Sequence, residues 1–438
     1  MKPASLYPPG SLNVNGFSFF NAVSFQIVLG APVILFAKSL GASSFVLGTI
    51  AALTPLLNIL QLLAARFLHR VGYKRFVLAG WGARIFFTFC VAVLPLLPGL
   101  SLSTRLGLLI AALFCFNLLR GFSAGAWLPW LTALVPASVR GRFLSRDNAF
   151  MHLGCLAALL LSAWVMTGSV EADEYVAVFG IGLVSALISL WFVRRIPEAE
   201  SAEERKRSGA PVPWAAMLRY PPFAKLLWFT TIYMTVIGSL GVFTVEYQVV
   251  RGKFSESMIL LLSAWSFVGA LAGLAITAPR LDATGSKPWL RHGLVIMALV
   301  IFSWFLLASG LLPGWPALVA ALNFFGGLAG AIFGVANTRI TMGSVPAMGR
   351  NHFFALFTVV SGLGLGGAPM VWGAMLDTLG TLDVVLGEMT INRYSVYFAV
   401  LVVLAGLALR LIPGLHEGAV IEANPPIAAD ARPVAPVE

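Results

Sequence analysis

Apolar residues run along this chain in stretches of about 20, and short polar or glycine- and proline-bearing joints separate them. A run of that length, coiled as a helix rising 1.5 Å per residue, crosses a hydrocarbon core of ~30 Å. Twelve spans are predicted, over residues 15–37, 44–66, 76–97, 106–134, 147–168, 174–193, 223–248, 256–278, 290–311, 316–343, 352–377 and 393–412. Helix is the expected state throughout, because a single apolar run in lipid must satisfy its own backbone groups. The fold class expected is therefore all-α integral membrane.

Two loops recur. Ala65–Arg75 joins spans 2 and 3, and Ala278–Pro288 joins spans 8 and 9; aligning Gly72 with Gly285 also aligns Leu68 with Leu281 and Lys74 with Lys287. Likewise Val135-Pro136-Ala137, with Arg140 and Phe143, returns as Val345-Pro346-Ala347, with Arg350 and Phe353. Copies six spans apart imply two parallel six-helix repeats. The joint between them, 196–221, is long and carries Glu198, Glu200, Glu203, Glu204, Arg205, Lys206 and Arg207, so it reads as a solvated linker. The expected division is 1–195 for the N-terminal half, 222–412 for the C-terminal half, and 413–438 as a disordered tail rich in Ala, Pro and Glu.

Composition agrees. Hydrophobic residues make up 59% and charged ones 11%, against about 25% charged in a soluble domain. Mean hydropathy is +0.89. Met1–Asn13 is polar and prolyl, and no cleavable leader is expected. Cys90, Cys115 and Cys155 fall inside apolar runs, as small buried hydrophobes rather than a disulfide framework. The net charge of +11 changes the picture only until the charges are placed. With both termini cytoplasmic, the other side keeps only Lys38, Arg105, Arg251, Lys253 and Arg393 of the 29 basic residues. The excess is thus topology, the positive-inside bias of a plasma (inner) membrane protein, and not a nucleic-acid footprint.

Twelve helices as six plus six, a long central loop and the paired short loops resemble the major facilitator superfamily. The signature after its second helix is Gly-x3-Asp-Arg-x-Gly-x-Lys/Arg-Lys/Arg. Here Arg70, Gly72, Lys74 and Arg75 match, while Ala65 and His69 depart from it. The second copy keeps Asp282, Gly285 and Lys287, with Ala278 and Ala283 as departures. The resemblance covers about residues 14–412. It implies a secondary transporter with one central cavity, lined by helices 1, 4, 7 and 10, that works by alternating access. It also implies gating roles for His69, Arg70, Gly72, Asp282 and Gly285. The family's Gly-Pro antiport signature is absent from span 5.

Candidate chemistry starts at Arg120, near the middle of span 4, ~20 Å from either helix end. A charge there is costly, by about 2.5–3.5 kcal/mol on insertion scales, unless it faces a cavity or partner. It reads as an anion-binding or coupling arginine, or as a structural one capping a neighbouring helix. Arg84, ~12 Å into span 3, and Arg339 in span 10 are secondary candidates for gating and substrate contact. Asn21, Gln26, Asn117, Tyr233, Asn323 and Asn337 add polar groups on the expected cavity helices, for substrate contact or for interhelical hydrogen bonds. Thr54 and Asn58 of span 2 are similar. Glu246, near the outer end of span 7, is the candidate coupling carboxylate; the alternative is a surface acid beside Arg251 and Lys253. Asp147 is expected to pair locally, Asp377 to lie in an outer loop, and Trp130 to join the interfacial belt. The glycines of spans 10 and 11 read as close packing or hinges.

No nucleophile–base pair, metal-ligand spacing or ATP-binding loop is present in the sequence, so an enzyme is not expected and any drive comes from a gradient. No cofactor is implied. The expected partners are a small-molecule cargo, anionic or zwitterionic, and membrane lipid, with the chain acting as a monomer. Efflux of an amphipathic or lipid-like compound, or ligand sensing without transport, are the alternatives.

Overall fold

The computed structural model describes residues 10–61, 63, 71–135, 137–167, 171–198, 219–277, 279–344 and 350–417. Eleven helices among them are long and apolar enough to cross a membrane, and a shorter apolar helix, Ser44–Leu60, supplies the second span. Span 1 is Ser11–Leu29 and Ala31–Ser39; span 3, Tyr73–Val93; span 4, Leu102–Ala124 with Trp127–Leu134; span 5, Ala137–Val165; span 6, Ala172–Arg195. Span 7 is Pro221–Ile237 and Leu240–Val250; span 8, Glu256–Thr277; span 9, Ser286–Ala308; span 10, Pro316–Ser344; span 11, Arg350–Leu379; span 12, Arg393–Leu411. His69, Arg70, linker residues 199–218 and tail residues 418–438 lie outside the described residues, as do the Arg140, Arg142, Asp282 and Arg350 side chains.

Local chemistry sets the ends. The Ser101 side chain accepts from the Thr104 amide at 3.2 Å to start span 4, and Asn392 accepts from the Tyr394 and Ser395 amides at 3.0 and 3.1 Å to start span 12. Glu171 and Glu174 form a capping box at span 6. Gly72 and Gly285, matched by the loop repeat, both take positive φ, 83° and 80°, with extended ψ, immediately before spans 3 and 9. That backbone is open to glycine almost alone. A third repeat closes each half: Ile196-Pro197 after span 6 and Ile412-Pro413 after span 12, with both isoleucines buried. The Trp130 indole donates to the Pro197 carbonyl at 3.0 Å, and Lys287 to that of Pro413 at 3.3 Å. Trp130 is therefore a fully buried clasp of the N-terminal half rather than a belt residue.

Spans 1 and 7, the first of each repeat, are broken at matching depth, at Gly30 and at Gly238-Ser239. Within the halves, span 1 packs on spans 5 and 6, span 8 on 10, and span 9 on 10 and 12; across them, span 2 packs on 11, span 5 on 8, and the outer piece of span 7 on that of span 1. We call the face with the described chain ends the terminal face and the opposite one the far face. At the far face a short hairpin, β1 (Asp383–Leu386) paired with β2 (Met389–Asn392), joins spans 11 and 12.

At the terminal face, Glu417 reaches back onto span 9. Its carboxylate accepts from the Ser286 and Lys287 amides and lies 4.0 Å from Arg339. Span 9 has no capping side chain of its own, so Glu417 supplies one. Burial opposes ionisation, but these amide donors and Arg339 hold the carboxyl below its ordinary 4.5. A depressed folded pKa gives stability that is present above the unfolded value and lost as pH falls through the folded one. The melting-temperature gap between wild type and Glu417→Gln is expected to be widest at neutral pH and to close as pH falls below the ordinary 4.5 and through the depressed folded value. A gap independent of pH would mean that the carboxylate charge is not what holds the clasp.

Candidate functional site

A cavity of about 530 Å³ lies between the halves, bordered by spans 1, 2, 5, 7, 8, 9, 10 and 11. The two helix breaks form part of its wall, through Gly30, Ala31, Gly238 and Leu240. Most of the wall is apolar, including Phe25, Leu29, Ile34, Leu159, Phe267 and Trp304; Gln26, Thr54, Thr244, Ser263, Ser266 and Asn323 supply the polar groups. No charged side chain lines it among the described residues.

Two arginines lie just beneath, on the terminal side. The Phe25 ring, part of the wall, covers the Arg120 guanidinium at 4.8 Å. Arg120 donates to Asn58 Oδ1 at 2.7 Å. One turn nearer the cavity, Thr54 donates to Asn117 at 2.9 Å, and Asn117 donates to the Leu113 carbonyl at 2.9 Å. Arg84, only 4% exposed, donates to Asn21 and sits against the Trp81 and Phe116 rings, each 5.3 Å away. Neither arginine is paired with a carboxylate among the described residues. Their buried charges are held by amide oxygens and aromatic faces, partners weaker than an anion.

On the far side the halves are clamped. Glu246 is 1% exposed, not a surface acid. Its Oε1 accepts from Lys38 of span 1 at 3.1 Å, Arg393 of span 12 at 3.4 Å and the Ser44 hydroxyl of span 2 at 2.7 Å. Arg251 pairs instead with Asp383 at 2.7 Å. Asp377 is helical rather than in a loop, and accepts from the Ser44 and Phe45 amides at 3.0 and 2.8 Å, capping span 2 from the other half. Tyr175 donates to Glu256 at 2.5 Å and Ser257 to the Ala163 carbonyl at 2.8 Å, again between halves.

Other sequence candidates fall elsewhere. Tyr233 is buried, stacked on Phe333 at 3.4 Å inside the C-terminal half. Asn337 is buried near the terminal end of span 10, and its Oδ1 has no partner among the described residues. Arg339 donates to the Leu281 carbonyl at 2.6 Å and faces the span 8–9 joint. Asp147 accepts from Ser18 of span 1 rather than pairing with its chain neighbours. Asn323 and Gln26 do line the cavity. Sequence reasoning missed Lys38 and Ser44, whose partner lies across the halves, and Arg393, whose partner lies five spans away in its own half; no local pattern marks either.

The chain matches the Major Facilitator Superfamily over residues 15–310 and belongs to that family. It is a multi-pass membrane protein with the architecture of a secondary transporter. No curated protein sequence is a significant match. Among solved structures it is similar to a D-xylose-proton symporter (TM-score 0.71, 15% identity, covering 93% of this chain and 97% of that one). It is also similar to a point mutant of the nucleoside transporter NupG (0.69, 11%, 92% and 99%). A third is a POT family transporter in complex with 5-aminolevulinic acid (0.70, 12%, 94% and 96%). At these identities the likeness concerns the fold, which is that of transporters rather than enzymes.

Proposed function

We propose that this protein carries a small amphipathic organic anion across the plasma (inner) membrane by alternating access, with the terminal face cytoplasmic. The observation that supports it most is an apolar cavity of about 530 Å³ set directly above two buried arginines that have no carboxylate partner among the described residues. The apolar wall takes the body of the cargo, and its head takes the place of the Asn58 and Asn21 amide oxygens at Arg120 and Arg84. Phe25, between wall and guanidinium, is the side chain that must yield. Residues 1–195 and 222–412 act as the two rocking units, joined by 196–221. Glu246 and Asp377 hold the far mouth shut in the form described, and the basic terminal-face loops fix the orientation.

The test is thermal stabilisation of purified wild type and Arg120→Gln by 2-naphthoate and its neutral counterpart 2-naphthamide. A ligand at 100 times its Kd stabilises by about 2.7 kcal/mol. Loss of a charge-assisted bond worth about 1.5–3 kcal/mol lowers affinity roughly tenfold or more. The acid is expected to stabilise wild type, and Arg120→Gln to require about tenfold more of it. Equal shifts by acid and amide in both proteins would make Arg120 structural and favour a neutral, lipid-like cargo.

A further inference from the structure

Cations bracket the cavity on both sides. Below it lie Arg84 and Arg120. Above it lies Lys38, one helical turn beyond the wall residue Ile34, and Glu246, which directly follows the wall residue Val245. In this upper layer two cations share one carboxylate, and both approach the same oxygen, Oε1. Ser44 donates to that oxygen too, and Oε2 is buried. The layer therefore keeps surplus positive charge. The Lys38 and Arg393 side chains are still 22% and 19% exposed, whereas that of Glu246 is 0%.

Resting on the anion-carrier reading, we propose that Lys38 is a second anion site, at the far mouth. It takes the carboxylate head of the cargo when the mouth is open and Glu246 when it is closed. Glu246 rides on Leu240–Val250, the segment beyond the span 7 break, and Lys38 on Ala31–Ser39, the segment beyond the span 1 break. Parting these segments without cargo takes Lys38 from Glu246, which keeps Arg393 of its own half, and leaves Lys38 without an anion. With a cargo carboxylate present, one anion replaces another on Lys38 and the charge balance is kept. The cargo is then what licenses opening, because it binds the open form and not the closed one. The head passes from the lower cationic layer to the upper one, across a cavity that contributes no charge of its own.

A cysteine placed at Ala42 reads the gate. Ala42 is 2% exposed, outside the cavity wall, in the span 1–2 corner gripped by Glu246 and Asp377; its carbonyl accepts from Lys38 at 3.4 Å, so cargo held at Lys38 can only slow its modification and a faster rate reports opening. The measurement is the rate at which a membrane-impermeant methanethiosulfonate modifies Ala42→Cys from the far side, in protein whose Cys90, Cys115 and Cys155 are replaced by serine. An anion at ten times its Kd for the open form raises the open-to-closed ratio about tenfold. We expect 2-naphthoate to raise the rate by about that factor, and 2-naphthamide and chloride to leave it unchanged. Glu246→Gln is expected to be fast without anion, and Lys38→Gln to lose the response to it. If 2-naphthoate still stabilises the protein through Arg120 but leaves the rate unchanged, the second site is overturned while the carrier reading stands. If 2-naphthoate neither binds nor changes the rate, both fall.

Discussion

Gly48→Ala is expected to drive the bundle out of its far-face-closed form, whereas Gly327→Ala is expected to weaken the C-terminal half in every form. Both glycines sit where helices touch backbone to backbone. A Cβ at Gly48 would lie 2.1 Å from the Pro369 carbonyl oxygen, and one at Gly327 would lie 1.8 Å from that of Ser266. Neither obstacle is a flexible side-chain end, so the helices themselves must move apart. The difference is in which helices they are. Gly48 of span 2 meets span 11 of the other half, a contact that must break when the far mouth opens. Gly327 of span 10 meets span 8 of its own half, where Gly269 makes a matching approach to Phe324 from the other side. Overpacking costs about 1–3 kcal/mol. Applied to one conformer alone, that shifts the populations by about tenfold per 1.4 kcal/mol. Gly48→Ala should thus raise far-side modification of Ala42→Cys by about tenfold or more. Gly327→Ala should lower the melting temperature and leave the accessibility of the folded fraction as it was. Equal melting losses for the two, with accessibility unmoved, would mean that the span 2–11 contact is not a feature of one state.

The contrast between these glycines also marks how far the sequence can be read. Spans, halves and repeated loops are legible because hydropathy and turn residues act locally: Gly72 and Gly285, aligned by spacing alone, share one rare backbone conformation. Depth is less legible: span 4 breaks after Ala124, so Arg120 lies one turn from the end of Leu102–Ala124 rather than at mid-helix. Rotation about the helix axis is not legible. Tyr233 has the depth of a cavity residue but faces Phe333, because an all-apolar helix carries no stripe to say which side meets lipid, core or cargo. Partners across the halves are hidden for a related reason. Glu246, Lys38 and Arg393 are brought together by the packing of spans 1, 7 and 12, and none of their neighbours in sequence announces it. The glycine clusters of spans 10 and 11 divide in a way the sequence does not mark: Gly327 and Gly362 face the carbonyls of Ser266 and Pro55, whereas Gly330, Gly334 and Gly367 face open space.

Asn21→Asp is expected to stabilise the fold and abolish anion binding in one step. Asn21 accepts from Arg84, and the two buried guanidinium groups of Arg84 and Arg120 repel one another. An aspartate has the same shape and adds the counter-charge that the described pocket lacks. It would turn an amide acceptor into an ionic one, and a bond of that kind is worth about 1.5–3 kcal/mol, more than its neutral equivalent. The carboxylate would then occupy, from within, the position proposed for the head of the cargo. The melting temperature should rise, and the Kd for 2-naphthoate should weaken by about tenfold or more. Asn21→Leu separates the two effects. It removes the amide without adding charge, leaving Arg84 short of a partner, so the protein should melt lower and yet keep or strengthen its anion affinity. The opposite orders of stability and affinity in these two variants are a signature that a purely structural arginine pair does not produce. If Asn21→Asp melts higher but binds 2-naphthoate as wild type does, the head lies elsewhere in the cavity and the arginines serve only to tie spans 1, 3 and 4 together.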